Sequence, residues 1–150
     1  MTETQSQTPE QVLGDNVKVY RDARGLSQQG LADRMARLGF SWTHNTASLT
    51  ERGKRGVSVN EFVGLALVFG VKPANLLMAR DPEISQVAVG AATTSAGTFN
   101  DWARGEWAMI LNPDVDEAEV YVMISDRKSL GIALPEQFDA EKLMLRRDAE

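Results

Sequence analysis

Between residues 10 and 79 the sequence is cut into short apolar-periodic stretches, each opened by a capping residue or proline and most of them closed by glycine. That punctuation constrains the fold more than any other feature, because a short periodic stretch held between a cap and a glycine reads as a short helix. Pro9 and Glu10 suit a first turn, and Leu13, Val17 and Tyr20 share one helical face until Gly25 stops the segment. Ser27 caps a second helix whose apolar side is Leu31, Ala32, Met35 and Leu38, although Gly30 stands where a capping box would place Glu or Gln. After a break from Gly39 to Trp42, Thr43 caps a short third helix that runs to about Arg52 and ends at Gly53. Ser58-Val59-Asn60-Glu61 is a full capping box ahead of Phe62, Leu65, Ala66 and Phe69, with Gly70 as the stop. Pro73 opens a fifth short helix carrying Leu76 and Leu77. Five such helices predict a compact all-α domain over residues 10–79.

The flanks read differently. Residues 1–9, rich in Thr and Gln, are expected to be a disordered lead-in. From Arg80 the texture changes, and 80–97 reads as a linker because Val89 to Thr98 is a run of Gly, Ala, Thr and Ser. Beyond it, Glu106–Leu111, Glu119–Ser125, Leu130–Leu134 and Lys142–Leu145 resemble short strands separated by turn residues. Phe99, Trp102, Trp107 and Tyr121 supply aromatics for a small core. Residues 98–150 are therefore expected to form a small β-rich module, and the fold class is α+β.

Composition excludes several functions. The chain has no cysteine, hence no disulfide framework and no thiolate metal site, and its one histidine, His44, cannot serve schemes that need two. No apolar run approaches the roughly 20 residues of a membrane span, and the start lacks the basic-then-apolar pattern of a secretory signal. A cytoplasmic, nucleoid-associated protein without metal or cofactor is the simplest expectation. A net charge of −5 argues against nucleic acid until its distribution is seen. Residues 10–79 hold nine Lys/Arg against six Asp/Glu, whereas residues 80–150 hold seven against fourteen. One half faces a polyanion; the other does something else.

Over residues 10–79 the chain resembles the lambda-repressor-like helix-turn-helix family of phage repressors, Cro proteins and xenobiotic-response-element-type regulators. The resemblance rests on Arg21, Leu26-Ser27-Gln28, Leu31-Ala32, Thr46-x-Ser48 and Glu51-Arg52-Gly53-Lys54-Arg55. It is completed by the capping-box helix with Leu65-Ala66 and by the closing Gly70-Val71 and Leu76-Leu77. It implies a DNA-binding transcriptional regulator, in all expectation a repressor, whose partners are an operator duplex and a second copy of the chain.

The chemistry of these residues agrees. A duplex reader enters the major groove helix N-terminus first, with short polar side chains that donate and accept at base edges. Thr43, His44 and Asn45 are the cap and first turn of the third helix, and Asn45 can pair bidentately with adenine. Leu49 stands where the family often places a base reader and can meet a thymine methyl. By the resemblance, Gln28, Thr46, Arg52, Lys54 and Arg55 contact phosphates, and Arg21 pairs with Glu51 as a structural ion pair. The plainer readings are that Thr43 and Asn45 only cap, that the basic cluster is a solvated turn, and that Trp42 plugs the space under a longer turn. That turn, around Arg37 to Trp42, exceeds the usual length for the family.

The acidic module is expected to supply homodimerisation, or to bind an effector or a partner protein. An antitoxin-like autoregulator, whose C-terminal part masks a protein partner, is the alternative of a different class. Ala96-Gly97 resembles the cleavage dipeptide of self-cleaving repressors, but those need an activating lysine several dozen residues after a serine such as Ser125 or Ser129. No lysine follows Lys142, which argues against autoproteolysis. Asp114, Asp116 and Glu117 read as a solvated acidic turn. Nothing points to an enzyme.

Overall fold

The computed structural model describes residues 5–111 and 120–124. Four α-helices build the first part: α1 (Pro9–Ala23), α2 (Gln28–Arg37), α3 (His44–Glu51) and α4 (Val59–Phe69). The fifth short helix lies at Pro73–Leu77 and is of the 3-10 kind; its five residues, opened by proline, complete only short-range turns. Each start has a chemical cause. The Ser27 side chain accepts the Gly30 N–H, and Thr43 and Ser58 each close a reciprocal capping box, with Thr46 and Glu61 respectively. α4 stops at Gly70, which takes the left-handed conformation that ends helices.

The bundle closes around Leu13 and Val17 of α1, Leu31 and Met35 of α2, Ala47 of α3, and Leu65 and Phe69 of α4. α2 ends at Arg37, so residues 38–43 form a loop rather than a continuation of the helix. Trp42 lies buried at the end of that loop, beneath the start of α3. α1 and α3 approach through glycine: a Cβ on Gly14 would stand 2.5 Å from the Thr50 carbonyl oxygen and 2.6 Å from that of Glu51. Those are backbone atoms, which cannot swing aside, and no other residue fits there.

The segments on either side of the bundle depart from the expected boundaries. Residues 5–9 are not a disordered lead-in: Ser6–Gln7 form β1, and the Thr8 side chain accepts the Gln11 N–H as the N-cap of α1. Residues 80–97 are not a linker either. β2 (Gln86–Val89) and β3 (Ala92–Ser95) make an antiparallel hairpin, and β1 pairs parallel with β2 in the register Ser6↔Gln86 and Gln7↔Val87. The Gly-Ala-Thr-Ser run hides this hairpin because only Val87 and the small Ala92 carry its apolar face inward. Ser95 then caps α5 (Ala96–Ala103) where linker or strand was expected. β4 (Trp107–Leu111) pairs antiparallel with β5 (Val120–Ile124). The strands expected at Leu130–Leu134 and Lys142–Leu145 lie outside the described residues. The class is α+β.

α1 is buried on two faces. Leu13 and Val17 enter the bundle, while Val12 joins Val87 and Phe99 in a second small core. Between them sits Asn16, fully buried. Its amide donates to the Val12, Leu76 and Met78 carbonyls at 3.0, 3.1 and 2.8 Å, and its oxygen accepts from Arg80 Nε at 2.7 Å. One side chain thus satisfies the backbone that would otherwise be orphaned where the 3-10 helix ends. No helix among the described residues is long and apolar enough to cross a membrane.

Candidate nucleic-acid interface

The two sides of α3 differ in chemistry. Ala47, Thr50 and Glu51 point inward and are buried. Asn45, Ser48, Leu49 and Arg52 follow the i, i+3, i+4, i+7 spacing of a single outward face, with His44 beside them. Ser48, half-buried on that face, is the member that residue-type reasoning overlooked, although the spacing alone would have found it.

The first turn separates capping from free groups. The Thr43 and Thr46 hydroxyls lie 3.1 Å apart, and each accepts the other's backbone N–H, at 3.2 and 3.3 Å. Capping therefore occupies both threonines. The His44 and Asn45 side chains are exposed and hydrogen-bonded to nothing among the described residues. Leu49 is half-buried beside them.

The cations divide in the same way. Lys54 is exposed and unpaired among the described residues. Arg52 is exposed and uses only Nε, which donates to the Ser48 carbonyl at 3.3 Å. Arg55 is spent internally: it donates to Glu61 Oε1 at 2.9 Å and to Thr50 Oγ1 at 3.2 Å, and its guanidinium carbon stands 5.4 Å from the Trp42 ring centre. Gln28 donates to Glu51 Oε2 at 3.0 Å, leaving one amide proton and its first-turn backbone N–H for an outside acceptor.

Arg21 and Glu51 join α1 to the end of α3. Arg21 Nε donates to Glu51 Oε1, Nη2 reaches Oε2 at 3.2 Å, and Nη1 reaches the Leu26 carbonyl at 2.7 Å. Both side chains are nearly buried, at 11% and 5% exposure, so the pair shields its charges from water. The Glu51 hydrogen bond, above all, raises the guanidinium's pKa despite the opposing effect of burial. Glu61 behaves differently. Burial pushes its carboxyl up, but hydrogen bonds from the Ser58 backbone, Trp42 and Arg55 outweigh that and hold it below the usual range.

No group of three or more His, Asp or Glu side chains among the described residues could hold a metal ion. What the face offers is an exposed amide and imidazole at a helix start, a half-buried leucine, and two available cations.

No protein-family model matches the chain, and none of the curated proteins matches it. Solved structures similar to part of the chain include the following three. The restriction-modification controller protein C.AhdI from Aeromonas hydrophila is 28% identical, with a TM-score of 0.40, over 45% of this chain and 94% of that one. The DNA-binding domain of BldD from S. venezulae is 29% identical, with a TM-score of 0.40, over 46% of this chain and 96% of that one. A hypothetical transcription factor, NHTF, from Neisseria is 25% identical, with a TM-score of 0.41, over 46% of this chain and 74% of that one.

Proposed function

We propose that this chain is a sequence-specific DNA-binding transcriptional regulator, a repressor of the bacterial or phage-immunity kind, that reads the major groove with α3. One observation carries the reading: His44 and Asn45 stand exposed with unused donors and acceptors at the start of a helix whose opposite face is buried. Readers of base edges need that arrangement. Thr43, His44, Asn45 and Leu49 face the bases. Lys54 and Arg52 contact phosphates, together with the first turn of α2 at Gln28; Thr46 and Arg55 serve the interface through the geometry they hold. Two copies joined through residues 98–150 would present two α3 helices to half-sites about one helical turn of DNA apart.

Selection of duplexes from a random pool by the full chain tests this. The expected result is a defined site with two-fold symmetry, and Asn45→Ala relaxing one base position in each half. A protein that prefers no duplex over random competitor at moderate salt would refute the reading. A selected site without symmetry, together with a monomer in sedimentation at micromolar concentration, would refute the dimer alone.

A further inference from the structure

A ring of side chains ties both ends of α3 to α4, and its two members flanking the helix meet at one carboxylate. Trp42, the residue before the N-cap, donates its indole N–H to Glu61 Oε1 at 2.7 Å. Arg55, just beyond the far end of α3, donates to the same oxygen at 2.9 Å and to Thr50 Oγ1, in the last turn of α3, at 3.2 Å. Arg55 also lies over the Trp42 ring, 5.4 Å from its centre. The other oxygen of Glu61 accepts the Ser58 N–H at 2.9 Å and so fixes Glu61 to the first turn of α4. Both ends of an eight-residue helix are thereby referred to one point on its neighbour.

We propose that Glu61 is a specificity-positioning residue: it touches no DNA, and it sets the direction in which α3 presents His44 and Asn45 by holding Trp42 and Arg55 together. The inference rests on the DNA-reading role above and adds to it a residue outside α3. Its physical basis is lever-like. Trp42 sits next to the cap, so a shift of the indole moves the first turn, whereas phosphate contacts by Lys54, on a flexible stem, follow a tilted helix with little loss. Misdirection therefore costs base discrimination and spares general affinity. Phosphates position; base edges specify.

The test uses the full chain and its selected duplex, with affinity for that duplex and for random duplex measured across a salt series. Glu61→Ala is expected to lower the ratio of the two affinities about tenfold, the scale of losing one good base contact, while affinity for random duplex and its salt slope stay unchanged. Glu61→Gln has one acceptor oxygen where the carboxylate has two, so it keeps either the Ser58 cap or the acceptor for Trp42 and Arg55, and is expected to recover part of the ratio at most. Trp42→Phe keeps a ring under Arg55 but removes the donor. It is expected to lower the ratio in the same direction, and to add nothing further when combined with Glu61→Ala.

If Glu61→Ala fails to fold, Trp42→Phe and Glu61→Gln carry the test. A ratio preserved in Trp42→Phe, or preserved in both Glu61→Gln and Glu61→Ala, overturns the proposal. So does a Glu61→Ala variant with a lower melting temperature and an unchanged ratio, since that is a structural role only. A wild-type chain with no duplex preference overturns both readings, whereas a selective wild type whose variants keep its selectivity overturns this one alone.

Discussion

Against α1, α3 is held by backbone contact and a nearly buried ion pair; against α4, it is held by a ring of side chains that water partly reaches. On the first side Gly14 removes the Cβ that would strike the Thr50 and Glu51 carbonyls, and Arg21 and Glu51 lock the junction from within. On the second side Arg55 and Glu61 remain 25% and 13% exposed and are joined by hydrogen bonds that can lengthen. The first attachment determines how far α3 stands from the bundle and tolerates almost no change. On the reading proposed above, the second sets where α3 points, so distance and direction are assigned to different neighbours.

The strongest way to break this contrast is Arg21→Ala. It leaves Glu51 charged and nearly buried, and is expected to cost ~3–5 kcal/mol in chemical denaturation along with DNA affinity. An unchanged midpoint would mean that the α1 side carries no more than the α4 side. Next comes Gly14→Ala, which forces backbone apart and is expected to cost ~1–3 kcal/mol despite the better helix propensity of alanine. A stabilised protein would show that α1 and α3 can part freely.

A smaller effect sharpens the α4 side. Because its partners hold the Glu61 carboxyl below the ordinary range, its contribution to stability is complete above that range and is lost as pH falls through the folded-state value. The stability gap between wild type and Glu61→Gln should accordingly be widest near neutrality and narrow in acid; a gap independent of pH would remove the charge from the account. The smallest expected effect on folding is that of Lys54→Ala, within ~0.5 kcal/mol of wild type, with the slope of log affinity against log salt falling by about one. Arg55→Ala should do the reverse, lowering stability and leaving that slope alone. If both behave alike, the division between spent and available cations is wrong.

The helical half was legible because its signals are local. Ser27, Thr43 and Ser58 each announce a helix start a few residues from the backbone groups they satisfy. Thr8 and Gln11 have the same capping-box spacing and could have been read from sequence, but Pro9 drew attention to the position after the cap. What escaped was non-local. β1 is two residues long and its partner lies 80 positions away, so no window of sequence contains the pair. Asn16 gives no sign in its own neighbourhood that its amide will be needed by Leu76 and Met78. The contacts of Arg55 with Thr50 and Glu61 were not legible either, because Glu61 already has one visible role in its capping box. A carboxylate has two oxygens; here each does a separate job.

The pairing of Ser6–Gln7 with Gln86–Val87 also bears on how the chain is assembled in time. A ribosome releases the first of these segments long before it has made the second, and α1 to α4 emerge in between. Ser6–Gln7 must wait, unpaired, while helices that depend only on near neighbours settle. Its parallel partner then reaches it from the opposite end of a long closed loop, at an entropic cost that grows only slowly with length. A segment made before the helical bundle is thus among the last to find its place.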